Sequence, residues 1–300
     1  MRAEGPGECP ACGHAAPRRF CFRKSGYDIV RCCECGLGSS VGPEDFDPAT
    51  FYDASYFTGG RRDGYDDYVG HAKVLHREFR SVLRAILASG STEGRLMEIG
   101  CAYGFFLQEA QSHFRVFGVE VSPDAVRFAQ ARGLDVVCGF PSEEIFEKKG
   151  PFDVVVMLDV IEHLPNPAEV LGLIHRHLSP EGRLVLTTGD WGAPVSRLMR
   201  AAWRLMTPPQ HMFFFTRKSM CGLLQRTGFT VVDFGHPWKH VPLGLILYQL
   251  ERMSGLTQRP LRWLGGVGIT VNLFDAMRVI AVKRCPGSPL DRASALRRGR

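Results

Sequence analysis

Three hundred residues, 45% of them apolar, and a formal charge of +6 describe a chain long enough for one large core and a small accessory unit. The charge is unevenly spread: residues 283–300 hold six basic residues and one acid, supply +5 of the total, and leave the body nearly neutral. This argues against a basic groove tracking a nucleic-acid backbone, and no apolar run reaches the roughly 20 residues that a membrane-spanning helix needs.

The N-terminal residues lack the charged, apolar, small-residue order of a secretory signal, so a cytoplasmic location is expected. The ten cysteines are then expected to be reduced rather than paired in disulfides. Four of them explain themselves by spacing. Cys9 and Cys12 in "CPACG", then Cys32 and Cys35 in "CCECG", give two C-x2-C knuckles separated by nineteen residues, the pattern of a four-thiolate zinc site. Gly13 and Gly36 allow the tight turn behind each pair. Such a closed site leaves no position for a reacting water, so the ion is expected to be structural, holding residues 1–45 as a zinc ribbon that serves as scaffold or docking surface. Cys21, Cys33 and His14 stand outside this ligand set.

Residues 46–92 read as an aromatic, glycine-rich connector followed by a helix over 66–89, in which Leu75, Phe79, Val82, Leu83 and Ile86 keep helical spacing. From Arg95 the chain alternates apolar runs with amphipathic stretches: "RLMEIG", "FRVFGVEV", "LDVVCG", "FDVVVML", "GRLVLTT", "FTVVDFG" and "MRVIAVKR". This predicts a doubly wound α/β domain over 93–284 with a mostly parallel seven-stranded sheet, and a ligand at the carboxyl ends of its strands.

The turn after the first of these strands, "MEIGCAYGFFL", carries Glu98, Gly100, Cys101, Ala102 and Gly104. The glycines let a ligand approach the backbone, and an acid at the strand end suits a cation better than a phosphate. Glu120, ending the next strand in "GVEVS", is placed to accept the hydroxyls of a ribose. The G-x-G-x-x-G fingerprint of nicotinamide and flavin sites is absent.

In this order and spacing, "MEIGCAYGFFL", "GVEVS", "FDVVVMLDVIEHLPNP" and "LSPEGRLVLTT" resemble the successive motifs of class I S-adenosylmethionine-dependent methyltransferases, over residues 70–235 and a last strand near 277–284. The resemblance implies a Rossmann-like sheet with S-adenosylmethionine as cofactor. Glu98, Gly100 and Gly104 would hold its methionine end, with Cys101, Ala102 and Asp159 beside it, and Glu120 its ribose. Two departures stand out: Ala102 occupies the usual middle glycine, and "VVCGFPSEE" lacks the acid that would meet the adenine amino group. The knuckles before the core and "PPQHMFFFTRKSMCGLLQRTGF" after it resemble a bacterial branch that modifies sugars, glycans or secondary metabolites.

"DVIEHLPNP" sets Asp159, Glu162 and His163 after the fourth strand of the body. If this stretch makes a helical turn, all three project to one side. Two functions fit. His163, with His211 of "PPQHMFF" second, is a general base for the acceptor's proton. Alternatively, D-x-x-E-H with the later histidine resembles the E-x-x-E-H arrangement of ubiquinone-pathway O-methyltransferases and of small-RNA 2′-hydroxyl methyltransferases, in which Asp159, Glu162, His163 and His211 would gather a second, divalent ion. A purely structural alternative has Glu162 and His163 bracing the turn before Pro165.

Three further segments complete the reading. Arg197, Arg200 and Arg204 recur at helical spacing as one basic stripe able to meet a phosphate. Residues 236–275 form an apolar insertion expected to line the acceptor pocket, and residues 285–300 a disordered basic tail. Cys138 and Cys221 read as core fillers. The expected activity is methyl transfer to a hydroxyl of a small-molecule, sugar or carrier-linked acceptor by a monomer or homodimer; C- or N-methylation of a nucleotide-sugar or secondary metabolite, or an RNA- or protein-docking methyltransferase, are the rival readings.

Overall fold

A computed structural model describes residues 7–42, 51–52, 54–58, 67–242 and 268–284. The expectations for the tail and for residues 243–267 of the insertion fall outside them.

The N-terminal unit is a meander of β1 (Arg18–Lys24), β2 (Tyr27–Cys32) and β3 (Gly38–Val41). After the short α1 (Ala54–Phe57), helix α2 (Ala72–Ala88) buries Val74, Leu75, Val82, Leu83 and Ile86 against the body, as their 3.6-residue spacing requires.

The seven apolar runs become the seven strands of one sheet. They are β4 (Arg95–Ile99), β5 (Arg115–Glu120), β6 (Val136–Cys138), β7 (Phe152–Leu158), β8 (Leu178–Gly189), β10 (Phe229–Gly235) and β13 (Ala276–Lys283). Their order is β10-β13-β8-β7-β4-β5-β6, and β13 alone runs antiparallel to its neighbours. Crossover helices α3 (Phe105–Ala110), α4 (Pro123–Gln130), α5 (Glu143–Lys149) and α6 (Pro167–His177) join the parallel strands, and α7 (Pro194–Met199) and α8 (Arg217–Arg226) follow β8. Local signals fix several boundaries: Pro123 and Pro167 open α4 and α6, the Ser142 hydroxyl accepts from the Ile145 N–H, and Thr216 with Ser219 forms a reciprocal cap on α8.

Because β4 pairs with β5 on one side and β7 on the other, the chain reverses its direction of winding there. That reversal opens a crevice at the strands' carboxyl ends, where doubly wound sheets bind ligands.

The meander does not stand alone. The two-residue strand β9 (Phe213–Phe214) adds to β3 in antiparallel register, Gly38 opposite Phe214 and Ser39 opposite Phe213. Cys9, Cys32, Cys35 and Leu37 are buried in the same apolar cluster as Phe213, Phe215, Met220 and Leu223. Gly38 is obligatory at this seam: a Cβ there would stand 2.4 Å from the Trp191 ring. The remaining pair, β11 (Lys239–Pro242) and β12 (Gly268–Val271), brackets the insertion as an antiparallel ribbon.

Three sequence expectations change. Cys138 is exposed on edge strand β6 and Cys221 is half-buried, so neither fills the core. The arginine stripe does not form, because α7 ends at Met199 with Arg200 at φ +50° and Arg204 lies beyond it. Arg204 instead grips buried Asp275 with two bonds of 3.0 Å, an acid that also accepts from the Trp203 indole N–H.

Candidate active site

Glu98, next to last in β4, has its carboxyl buried, and its Oε2 has no hydrogen-bond partner among the described residues. Burial first, and the charge of Glu120 second, hold Glu98 well above the usual carboxylate range. A buried acid with an orphaned oxygen is a receptor for a cation that the folded chain does not itself supply. Glu120, ending β5, differs: its Oε2 accepts from the Ala102 N–H at 2.8 Å and its Oε1 from the Ser122 N–H at 2.9 Å. Burial raises its pKa while these amides lower it, and each oxygen keeps a lone pair for a ligand hydroxyl.

Between the two acids the loop winds through left-handed backbone at Gly100 (φ +72°), Ala102 (φ +46°) and Gly104 (φ +76°). A Cβ on Gly100 would meet Val160 at 2.6 Å, and one on Gly104 would meet Leu134 at 2.4 Å, so both glycines permit close packing as well as the turn. Ala102 carries its methyl in a conformation costing roughly 1–2 kcal/mol. Ala102→Gly is therefore expected to stabilise the fold by about 1 kcal/mol, read as a higher denaturant midpoint at unchanged slope. Cys101 is buried and its thiol is pushed up by burial, then by Glu98 and Glu120, which leaves it unreactive. Over the loop lies an aromatic lid: Phe57 and Tyr68 reach Tyr103 at 4.9 and 5.4 Å, and Tyr103 stacks on Phe128 at 4.4 Å.

Across the crevice, β7 ends at Leu158 and the chain turns sharply. Asp159 adopts φ +55°, which separates it from the following 3-10 turn, Ile161–His163. Glu162 and His163 thus join His211, with one ligand atom of each within 4.8 Å of the others. Asp159 does not join them, contrary to the one-sided helical turn expected from spacing. Its carboxylate accepts from the Thr187 hydroxyl at 2.9 Å and from Lys239 at 2.8 Å, and Lys239 also bonds Glu78 at 2.7 Å. Burial pushes Asp159 up, but Lys239 and Thr187 prevail and hold it below its ordinary value. Lys239, between two carboxylates, is raised despite burial.

His163 Nδ1 lies 2.7 Å from the Gln210 carbonyl and 2.9 Å from the Tyr52 hydroxyl. A carbonyl only accepts, so Nδ1 carries the proton and Nε2 keeps its lone pair. Burial lowers His163 to about 4, against the opposing pull of the Gln210 bond. His211 packs edge-on at 4.6 Å between ring centres and is lowered to about 3, by burial and then by His163. Glu162 moves the other way, to about 8, through burial and the charge of Asp159, and its buried Oε2 also lacks a partner. Two neutral imidazoles and a carboxyl, with their ligand atoms this close together, could hold a metal ion.

The ribbon reaches this cluster directly. The Ser40 N–H donates to the Met212 carbonyl at 3.0 Å and its hydroxyl to the His211 carbonyl at 3.1 Å, while the Met212 N–H donates to the Glu162 carbonyl at 3.0 Å. In the ribbon itself, Cys9, Cys12, Cys32 and Cys35 converge, with Cys9–Cys35 and Cys12–Cys32 sulfurs 3.6 and 3.9 Å apart. A tetrahedral zinc with bonds near 2.3 Å requires sulfur–sulfur edges of about 3.8 Å. The thiols therefore fit zinc.

A family model described as a methyltransferase domain matches residues 71–233, which include the five parallel strands β4 to β8, both acids and the histidine cluster. The chain belongs to this methyltransferase family. Curated relatives of the methyltransferase include ubiquinone biosynthesis O-methyltransferases: that of Xylella fastidiosa is 26% identical over 136 residues, 42% of this chain and 54% of its own length. That of Pseudomonas aeruginosa is 29% identical over 107 residues, 33% of this chain and 46% of its own. The chain thus spans about half the length of the curated relatives it matches. A solved magnesium protoporphyrin IX methyltransferase from Synechocystis with bound SAH shares the fold, at 16% identity and a TM-score of 0.50, over 78% of this chain and 97% of that one.

Sequence reasoning on the methyltransferase missed Lys239, Glu78, Thr187, Gln210, Tyr52 and Ser40. A lysine inside the apolar stretch after "HPW" and a tyrosine in the aromatic connector were available signals for two of them. Gln210 and Ser40 act through backbone or hydroxyl groups and leave no pattern.

Proposed function

We propose that this chain transfers a methyl group from S-adenosylmethionine to a hydroxyl of a small-molecule acceptor. One observation supports this most: at the carboxyl ends of β4 and β7, the buried acid Glu98 has an oxygen with no partner among the described residues, and His163 directs its Nδ1 proton to the Gln210 carbonyl, which leaves Nε2 as its basic nitrogen. The cofactor, when bound, supplies an electrophilic methyl on a cationic sulfur. Glu98 suits its cationic methionine end, and Glu120, fixed by two amides, suits the ribose hydroxyls. The aromatic cluster of Phe57, Tyr68 and Tyr103 packs beside the loop, and an aligned nucleophile in such a site needs chiefly orientation and loss of its proton. The likeness to O-methyltransferases favours oxygen as the nucleophile.

The histidine cluster has two ways to help a hydroxyl ionise. An imidazole with a pKa of about 4 is a weak base but a ready neutral ligand. The cluster therefore favours a divalent ion held by Glu162, His163 and His211, which would lower the acceptor hydroxyl's pKa. The four cysteines suit structural zinc, which would fix the ribbon against β9 and the segment before it that carries His211.

Glu98 offers a test independent of the acceptor. Its raised pKa means it carries a proton between its ordinary value and the raised one, where the neutral form contributes stability that is lost as pH rises through the raised value. A cation beside it reverses the preference. Binding S-adenosylmethionine within that window should release up to one proton, and calorimetry in two buffers of different ionisation heat should give different enthalpies. Equal enthalpies with tight binding would mean that Glu98 does not meet the cofactor's charge.

A further inference from the structure

The seam between ribbon and body holds two adjoining cavities, of about 570 and 440 Å³, which share Arg19, Arg31 and Arg197 in their walls. Each is within the range of small-ligand sites. They divide by chemistry. The larger adds Arg217 and Lys218; the smaller adds Arg200 beside Phe20, Phe22 and Trp191. Six cations from four separate stretches of chain therefore converge on one groove in a body whose total charge, these six included, is nearly neutral.

Some of these cations already have work. Arg31 lies against the second cysteine knuckle, its Nη2 3.0 Å from where a Gly36 Cβ would stand, and its guanidinium is 5.6 Å from the Trp191 ring centre. It is placed to offset the charge of four zinc-bound thiolates. Lys218 donates to the Glu34 carbonyl, and Arg217 lies over the Phe234 ring. Arg19, Arg197 and Arg200 make no side-chain hydrogen bond or ion pair among the described residues. Opposing them in the larger cavity are Glu34, near Lys218, and Asp190, turned inward to accept from the Gly192 N–H at 2.8 Å. The groove keeps an excess of positive charge with three guanidiniums uncommitted.

Its position ties it to the chemistry. Thr187 of β8 bonds Asp159, and Asp190 and Trp191, three and four residues further along the same stretch, line the groove. At about 3.3 Å per extended residue, the groove begins on the order of 10 Å from Asp159, the reach of a small molecule.

We propose that this groove anchors an acceptor through a diphosphate, with the arginines meeting the phosphates and a flat ring of the same ligand resting against the exposed Phe20: an acceptor of the nucleoside-diphosphate class. The inference rests on the methyltransferase reading for its purpose, but not for its detection. Guanidinium pairs match phosphate oxygens in two-pronged geometry, and an aromatic shelf beside them suits a nucleobase.

The test uses the full chain and uridine 5′-diphosphate, whose base differs from the cofactor's adenine, with uridine and inorganic pyrophosphate as comparison ligands. Binding is followed by calorimetry. Uridine 5′-diphosphate should bind, more weakly as salt rises; pyrophosphate should bind less tightly and uridine not measurably. The double variant Arg19→Glu with Arg197→Glu should weaken the nucleotide about tenfold or more while leaving S-adenosylmethionine affinity unchanged. Equal nucleotide affinity in variant and wild type, or no nucleotide binding by protein that binds the cofactor, overturns the proposal. A mixed-sequence RNA binding far more tightly than uridine 5′-diphosphate, and losing that affinity in the same variant, would overturn it in favour of a polyanion surface. Failure of S-adenosylmethionine to bind, with nucleotide binding and its loss in the variant intact, would remove the functional reading and leave the groove standing.

Discussion

His163→Ala should lower turnover by about 10²- to 10⁴-fold while changing S-adenosylmethionine affinity little. Among the described residues His163 makes no hydrogen bond to Glu98 or Glu120, the acids proposed to meet the cofactor. Single-turnover kinetics with a competent acceptor, alongside cofactor calorimetry, separates the two effects. A parallel titration with manganese distinguishes the roles open to the imidazole. If Glu162, His163 and His211 hold an ion, the alanine variant and Glu162→Gln should both lose manganese binding, and a chelator should inhibit the wild type. If His163 is a base alone, turnover falls in His163→Ala with no metal requirement in the wild type. Full activity in His163→Ala would remove both roles and leave the cluster as a brace for the turn before Pro165.

The second large effect is expected at the ribbon. Cys32→Ser should abolish stoichiometric zinc, lower the melting temperature markedly and reduce turnover, while leaving the cofactor site able to bind. Structural zinc contributes on the order of 10 kcal/mol to small zinc domains. Here the consequence is not confined to the ribbon, because Cys32 and Cys35 share an apolar cluster with Phe213 and Phe215, and Ser40 holds the His211 carbonyl. Losing the knuckle releases β3, and with it the strand that positions His211 beside His163. Zinc analysis, thermal melts and cofactor calorimetry on one preparation check the claim. A zinc-free variant with normal turnover would mean that the ribbon does not position the histidine.

The sheet was legible because its physics is local. Each of the seven strands is a short β-branched or aromatic run bounded by turn residues, and alternation with amphipathic helices admits a single layered arrangement. Glu98 and Glu120 were legible for the same reason: a strand end in a doubly wound sheet has a fixed place relative to the crevice. The histidine cluster was legible only in part. Spacing put Asp159 on the side of Glu162 and His163, but it presumed helical backbone, and the left-handed Asp159 breaks that premise and sends its carboxylate to Lys239. No rule of period or propensity announces a positive φ at an aspartate. Partners far away in sequence were the least accessible. Lys239 meets Glu78 across 161 positions and Ser40 meets His211 across 171, and such contacts are set by the packing of whole elements. The groove shows the converse: an arginine stripe expected on one helix dissolves, while Arg197 and Arg200 find company on strands of the ribbon.

The pairing of β3 with β9 also constrains how the molecule comes into being. During synthesis, the thiols of the ribbon can collect their ion early, but the outer edge of β3 stays bare until Phe213 and Phe214 have been made. A bare strand edge beside exposed phenylalanine is a template for wrong partners. Truncated chains that stop before Phe213 should consequently be prone to clump even when fully loaded with zinc, and the ribbon will not serve as a portable cassette on other enzymes.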